Sequence, residues 1–327
     1  MSTERLALWF VGPSELELRP DPPRALVAGE VRARGRVSGI SRGTELLLYR
    51  GEGPEPFDPS IEPAGDTGAP TYPRRYGYAW IGEVAASASP RLSVGDRVLG
   101  LLPHGHAHEV AAGRLRRLPD AIPDARAALA PLVETAINCV WDARIALGER
   151  VAILGGGALG LLVAHLARLA GAEVRLVERV PSRRAIAHGL GIGDVRSSGE
   201  DATADHDVVV EATGYPVALD LAIRHAALEA RVVIASFYGR RRSDVALGDA
   251  FHRRRLSLVS SQVSRIPAHM SARWDADRRW ALVFDILADP RLDALVTREV
   301  PFGEAREHYA HLAAFPEEGL FSVLVYK

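Results

Sequence analysis

The run Val151-Ala-Ile-Leu-Gly155-Gly-Gly157-Ala-Leu-Gly160 carries the sharpest chemical signal in this 327-residue chain. Its glycines fall in the G-x-G-x-x-G spacing, after an apolar strand-like run and before an Ala/Leu-rich helical one. In that context Gly155 permits a tight turn, Gly157 lets the backbone approach a pyrophosphate, and Gly160 packs the helix close to the strand. The free N–H groups around Ala158, Leu159 and Gly160, with the positive end of the helix dipole, then hold phosphates without a lysine. A second strand-like run ends in Glu178, 18 residues beyond Gly160. An acid there accepts hydrogen bonds from ribose hydroxyls and repels a 2′-phosphate, which favours NAD. Arg179, Arg183 and Arg184 follow it and keep NADP as the lesser alternative.

Other groups can do chemistry at lower specificity. His104, His106 and His108 alternate in Pro103-His-Gly-His-Ala-His-Glu109, and in a strand alternate side chains share a face. Three ligands spaced roughly 7 Å apart on one strand suit a single tetrahedral ion poorly, so one histidine acting as acid or base, His106, is the better use. The runs Arg240–Arg242 and Arg253–Arg255 offer an anionic substrate a partner, although a solvated face is the plainer reading. The polar stretch Ser260 to Arg265 is expected near a cofactor or an interface, and Cys139 inside a helix core.

Composition removes several mechanisms. Of 40 basic residues only Lys327 is a lysine, which excludes Schiff-base, phosphate-loop and general-base lysines from the interior. Cys139 is the one cysteine, so an intrachain disulfide and a cysteine-rich zinc site are excluded too. Net charge is −1, which argues against nucleic acid or an anionic membrane as partner. No run reads as a signal peptide or membrane span, and a free thiol suits a reducing compartment, so a cytoplasmic protein is expected.

The elements that would position these groups divide the chain. Residues 1 to about 120 hold short β-like runs broken by Gly and Pro, with Gly51 to Pro73 as a long loop. From residue 122 a long helix, Ala125 to Ala146, leads into strands and helices that alternate through Ser260, the pattern of βαβ units on a parallel sheet. The tail has one helix near Trp280 to Ala288. Two strand-like runs follow, Ala294–Val300 and Phe321–Tyr326, and return to the β-rich texture. The predicted domains are 1–121 with 265–327, and 122–264.

The order of motifs resembles the medium-chain dehydrogenase/reductase superfamily, the zinc alcohol dehydrogenase relatives. Gly77-Tyr78-Ala79-Trp80-Ile81-Gly82-Glu83-Val84 stands where that family has G-H-E-x-x-G-x-V. Val94-Gly95-Asp96-Arg97-Val98 is similar to its x-G-D-R-V, Val208 to Gly214 to its D-V-V-x-E-A-T-G, and Leu292 to Thr297 to its x-D-P-L-I-T. The resemblance implies an α/β protein: a GroES-like β-barrel catalytic domain plus a Rossmann doubly wound parallel-sheet domain. It places Thr213, Phe237 and Tyr238 with Arg179 among the cofactor contacts. It also implies a small-molecule substrate and a homodimer.

The family's zinc ligands do not carry over. Its first cysteine falls on Ser41 of Gly39-Ile-Ser-Arg-Gly-Thr-Glu45, its histidine on Tyr78, and its third ligand near Pro131 to Glu134. Serine, tyrosine and one glutamate make a poor zinc site, so no zinc is expected. Without a Lewis acid a side chain must polarise the substrate oxygen, and Tyr78 is the first candidate. Thr44 can relay a proton, Glu45 is expected to pair with an arginine such as Arg42, and Glu134 is a further acid. The run Ser38 to Glu45 with Gly77-Tyr78 resembles the branch that oxidises a secondary alcohol on a tetrapyrrole. Three readings stand: a zinc-independent NAD(H) dehydrogenase of a secondary alcohol on a medium or bulky metabolite, an enoyl or quinone reductase, and a non-catalytic nucleotide sensor or scaffold.

Overall fold

A computed structural model describes residues 5–53, 72–197 and 203–327. Most of the loop expected over Gly51 to Pro73 therefore lies outside the described residues. In chain order the first elements are β1 (Leu6–Gly12), β2 (Glu15–Pro20), β3 (Glu30–Ile40), α1 (Arg42–Tyr49), β4 (Arg74–Arg75), β5 (Ala79–Ser87), β6 (Arg97–Gly100), β7 (Ala107–Ala111) and β8 (Leu115–Arg117). Next come α2 (Asp124–Ala127), α3 (Ala130–Asp142), β9 (Arg150–Leu154), α4 (Ala158–Leu169), β10 (Glu173–Val177), α5 (Pro181–Gly189) and β11 (Asp194–Arg196). They are followed by β12 (His206–Glu211), α6 (Ala218–His225), β13 (Ala226–Ile234), β14 (Ser257–Ser260), α7 (Ala268–Ser271) and α8 (Ala276–Leu287). The chain closes with β15 (Val296–Pro301), α9 (Ala305–Ala314) and β16 (Phe321–Val325).

Two compact units result, Met1–Pro131 with Val296–Lys327, and Leu132–Leu295. The divisions fall about ten and thirty residues beyond the sequence-based ones. The second difference has a clear cause. Arg279 of α8 is buried and donates to Glu134 (2.7 Å), to Asn138 (2.8 Å) and to the Val263 carbonyl (3.0 Å), so residues 265–295 pack with α3.

The first unit is β-rich. β1 pairs antiparallel with β2 and β4, and a larger sheet runs β15-β16-β3-β5-β6-β8, with β7 also on β3. Strand β3 alternates buried and outward residues at its start and is buried through Ile40, where it enters a core holding Phe10, Trp80 and Tyr309. The second unit is a six-stranded, all-parallel sheet of order β11-β10-β9-β12-β13-β14, the doubly wound arrangement. Each central strand holds a continuous buried apolar run, Val151–Leu154 of β9 and Val208–Val210 of β12, as expected of a parallel sheet covered on both faces.

Three local expectations are corrected. The helix from Ala125 to Ala146 is two helices, α2 and α3, because Pro131 lacks an N–H and its ring collides with the carbonyl of Ala127 in a continuous helix. Strand β11 has only three residues, two of them charged, and gave no apolar run to read. The strand carrying three alternating histidines begins only at Ala107, so His104 and His106 precede it.

Candidate functional site

The second unit places its glycines at the point where strand order reverses, between β9 and β12. Gly155 leaves β9 at φ +99°, and a Cβ there would stand 2.9 Å from the backbone of Ala212 and Thr213. A Cβ on Gly160 would stand 1.9 Å from the Gly155 carbonyl oxygen, so only glycine lets α4 approach the turn this closely. A Cβ on Gly157 would meet no atom within 4 Å. That open space is at the N-cap of α4, beside the exposed N–H groups that begin with Ala158 and Leu159.

Glu178, just after β10, is buried. Its carboxylate accepts the N–H of Gly156 (2.6 Å) and of Val180 (2.7 Å), and a Cβ on Gly156 would stand 2.8 Å from the Glu178 Cγ. Each carboxylate oxygen keeps a lone-pair direction for a ribose hydroxyl. Arg183 lies 3.9 Å from that carboxylate, and Arg184 donates to the carbonyls of Glu178 (3.0 Å) and Arg179 (2.7 Å). The glycine turn, the helix start and the acid therefore fit the adenosine diphosphate half of a dinucleotide.

Thr213 and Tyr238 converge on Glu211, which lies within the Val208 to Gly214 motif and is fully buried at the end of β12. Its Oε1 accepts the Thr213 N–H (2.7 Å) and hydroxyl, and its Oε2 accepts the Tyr238 hydroxyl. Burial and the Glu211 carboxylate push the Tyr238 phenol well above its ordinary range. Phe237, beside it, is 47% exposed.

In the first unit the candidate groups sort differently. Glu45 does not pair with Arg42, which instead donates to the carbonyls of Pro316 (2.9 Å), Glu318 (2.7 Å) and Gly319 (3.0 Å). Glu45 is fully buried and accepts the Ser41 N–H (2.8 Å), the Tyr309 hydroxyl and a bond with His104 Nε2 (2.9 Å). The other ring nitrogen of His104 meets Ser38 Oγ at 2.6 Å, which meets the Tyr326 hydroxyl at 2.6 Å, and that hydroxyl accepts the Gly105 N–H (3.1 Å). One direction satisfies the whole chain: Tyr326 donates to Ser38, Ser38 to Nδ1, and Nε2–H to Glu45. Burial, reinforced by Glu45, holds Tyr309 protonated well above its usual value.

Tyr78 and Thr44 are half-buried and lie on segments that this buried pair anchors. Thr44 precedes Glu45 in α1. Tyr78 follows Gly77, whose φ of +131° brings its backbone so near His104 that a Cβ would stand 2.8 Å from the ring. The His104 N–H also donates to the Tyr76 carbonyl (3.0 Å). Ser38, His104, Tyr309 and Tyr326 come from four distant parts of the chain, so no local spacing marked them as a set.

The remaining candidates are committed elsewhere. His106 accepts the Leu6 N–H (2.9 Å) on Nδ1 and lies against Phe302 and Tyr326. His108 bonds the Pro103 carbonyl (2.9 Å) and packs edge-on to Trp80. The three histidines thus occupy three environments rather than one face. In the second unit, Glu134 is buried and ion-paired with Arg279. Among the described residues no group of three His, Cys, Asp or Glu side chains is gathered as metal ligands. Ser41, Tyr78 and an already paired Glu134 do not fit a zinc ion. Cys139 is buried, and burial raises its thiol to about 12, so it is no nucleophile at neutral pH.

A family model for zinc-binding dehydrogenases matches residues 158–280, a stretch that contains none of Ser41, Tyr78 and Glu134. The chain is 26% identical to a D-guloside 3-dehydrogenase of Escherichia coli K12, covering 91% of this chain and 93% of that one. It is 28% identical to the 2-desacetyl-2-hydroxyethyl bacteriochlorophyllide A dehydrogenase of Cereibacter sphaeroides, covering 95% of each. The matched family and these relatives make the chain similar to the zinc alcohol dehydrogenase relatives of the medium-chain dehydrogenase/reductase superfamily. It shares that fold with an alcohol dehydrogenase of Escherichia coli CFT073 solved with NADH, at TM-score 0.77 and 18% identity over 99% of this chain and 100% of the other. The named dehydrogenase relatives support an oxidoreductase of the alcohol dehydrogenase type with a nicotinamide cofactor. No helix among its described residues is long and apolar enough to cross a membrane.

Proposed function

We propose that the chain is a zinc-independent, NAD(H)-linked dehydrogenase of a secondary alcohol, running equally as a ketone reductase, on a sugar-like or bulkier metabolite. The observation that carries this reading is the pairing of a complete glycine–helix–acid cradle with a donor set unsuited to zinc. Both full-length relatives are named as dehydrogenases, one of a D-guloside at position 3 and one of a hydroxyethyl bacteriochlorophyllide. Preference for NAD rests on the buried Glu178 carboxylate, which repels a 2′-phosphate, and on Arg184, already committed to two carbonyls.

When bound, the nicotinamide supplies or takes the hydride. The protein must manage the proton and the charge that develops on the substrate oxygen. In the reducing direction the carbonyl carbon gains the hydride and its oxygen gains a proton, for which the Tyr78 hydroxyl is the donor. The Thr44 hydroxyl replaces that proton from solvent. Glu45 and His104 touch no substrate; they hold the two donor segments and are positioning residues.

The test is titration of purified protein with NADH and NADPH. Oxidation of secondary alcohols, an alkyl D-guloside among them, is then followed by NADH appearance in wild type and Tyr78→Phe. Wild type should bind NADH more tightly than NADPH. Removing the hydroxyl should lower turnover roughly a hundredfold while NADH affinity holds. Tighter NADPH binding overturns the Glu178 argument. Full turnover by Tyr78→Phe overturns the tyrosine mechanism, and a wild type that oxidises no secondary alcohol but reduces an enone or quinone with NADH favours hydride addition to a conjugated carbon.

A further inference from the structure

Glu211 has no solvent contact, yet its carboxylate is met by three donors from two separate loops. The loop after β12, Ala212 to Tyr215, gives the Thr213 N–H and hydroxyl. The loop after β13, which follows Ile234, gives the Tyr238 hydroxyl. The Gly214 N–H adds a fourth tie by donating to Ser236 Oγ (2.9 Å). Burying a carboxylate is costly unless its oxygens are satisfied, and here the three donors satisfy them and set its geometry. Both loops leave the carboxyl ends of parallel strands on the β12 side of the switch point. The backbone of Ala212 and Thr213 is within 2.9 Å of where a Gly155 Cβ would stand. In a doubly wound sheet that crevice receives the far half of a dinucleotide bound on the glycine turn.

We propose that Glu211, through Thr213 and Tyr238, is a positioning residue that fixes the two loops against the nicotinamide half of the cofactor, leaving the adenosine half to Glu178 and the glycine turn. This rests on the cofactor reading above and goes beyond it. The two halves then have separate supports within one unit, and they can be weakened separately. Glu211→Gln leaves an amide that cannot accept all three bonds. Tyr238→Phe removes one donor from the half-buried Tyr238 and disturbs the fold less. Thr213→Val removes another.

The experiment compares two ligands on each protein by calorimetry: whichever of NADH and NADPH wild type binds more tightly, and ADP-ribose or its 2′-phosphate to match. Tyr238→Phe and Glu211→Gln should weaken reduced-cofactor binding roughly tenfold, the scale of one hydrogen bond to a charged group. Binding of the ADP-ribose should stay within about twofold, since no contact of that half has changed. Equal weakening of both ligands would show a merely structural carboxylate and overturn the proposal, and so would unchanged binding of both. If wild type binds neither reduced cofactor, the function proposed above falls instead. Should Glu211→Gln fail to fold, Tyr238→Phe and Thr213→Val carry the same comparison.

Discussion

The two units build their chemistry in opposite ways. In the second, the candidate cofactor groups lie on short, consecutive segments: a glycine turn, a helix start, and an acidic side chain one strand later. In the first, the donors are supported by a buried side-chain network joining Ser38, Glu45, His104, Tyr309 and Tyr326, whose members lie up to 288 residues apart. A backbone cradle depends on residue types at fixed offsets. A network depends on which strands and helices the fold brings together.

The largest expected effect separates structure from chemistry at Glu134. Removing one member of a buried ion pair strands the other, so Glu134→Ala should cost about 3–5 kcal/mol in urea unfolding. A variant as stable as wild type but slower in turnover would return Glu134 to the chemical groups and blur the contrast. Gly160→Ala comes next. Its Cβ would overlap the Gly155 carbonyl, and the turn must shift at a cost of about 2–3 kcal/mol with loss of NADH binding. Retained NADH affinity there would break the claim that the cradle is a matter of backbone contact.

In the first unit, Glu45→Gln should cost about 2 kcal/mol, since a buried amide cannot accept from the Ser41 N–H, Tyr309 and His104 together. It should also lower turnover with cofactor affinity unchanged, because the affected segments carry Thr44 and Tyr78. A loss of cofactor affinity instead would mean the two halves are not separately supported.

The smallest effect is set by pH. Burial, helped by Arg75, holds His108 down to about 3, and burial with His206 and other neighbours holds His225 down to about 4. Both stay neutral in the fold, while the unfolded chain takes up protons below about 6.5. Folding stability is thus fully present above that value and falls as pH drops through 6.5 toward 4, by at most about 1.4 kcal/mol per pH unit for each histidine. His108→Gln and His225→Gln should each flatten the slope of urea-unfolding free energy between pH 6.5 and 5. An unchanged slope in either would show that histidine to be charged inside the fold.

What the sequence disclosed follows the same division. The parallel sheet, the glycine turn and Glu178 were readable because strand–turn–helix spacing is local. The break at Pro131 follows from the same local rules, since proline cannot continue a helix. Glu211 stood in a motif, but its partner Tyr238 is 27 residues away and its burial cannot be read from spacing. Glu45 was expected beside Arg42 because they are neighbours in sequence. Its true partners, His104 and Tyr309, reach it only once α1, α9 and the segment between β6 and β7 are packed. The histidine trio misled for a related reason: alternation predicts a shared face only within a strand, and β7 starts after the first two.

The central claim is that side chains, not a zinc ion, handle the substrate oxygen while the dinucleotide cradle stays intact. Its most direct test is turnover with NAD plotted against zinc content, counted by mass spectrometry, as purified protein is stripped by a chelator and then resupplied with zinc. Turnover should stay constant from zero to one zinc per chain. Activity that falls with zinc and returns with it would contradict the claim.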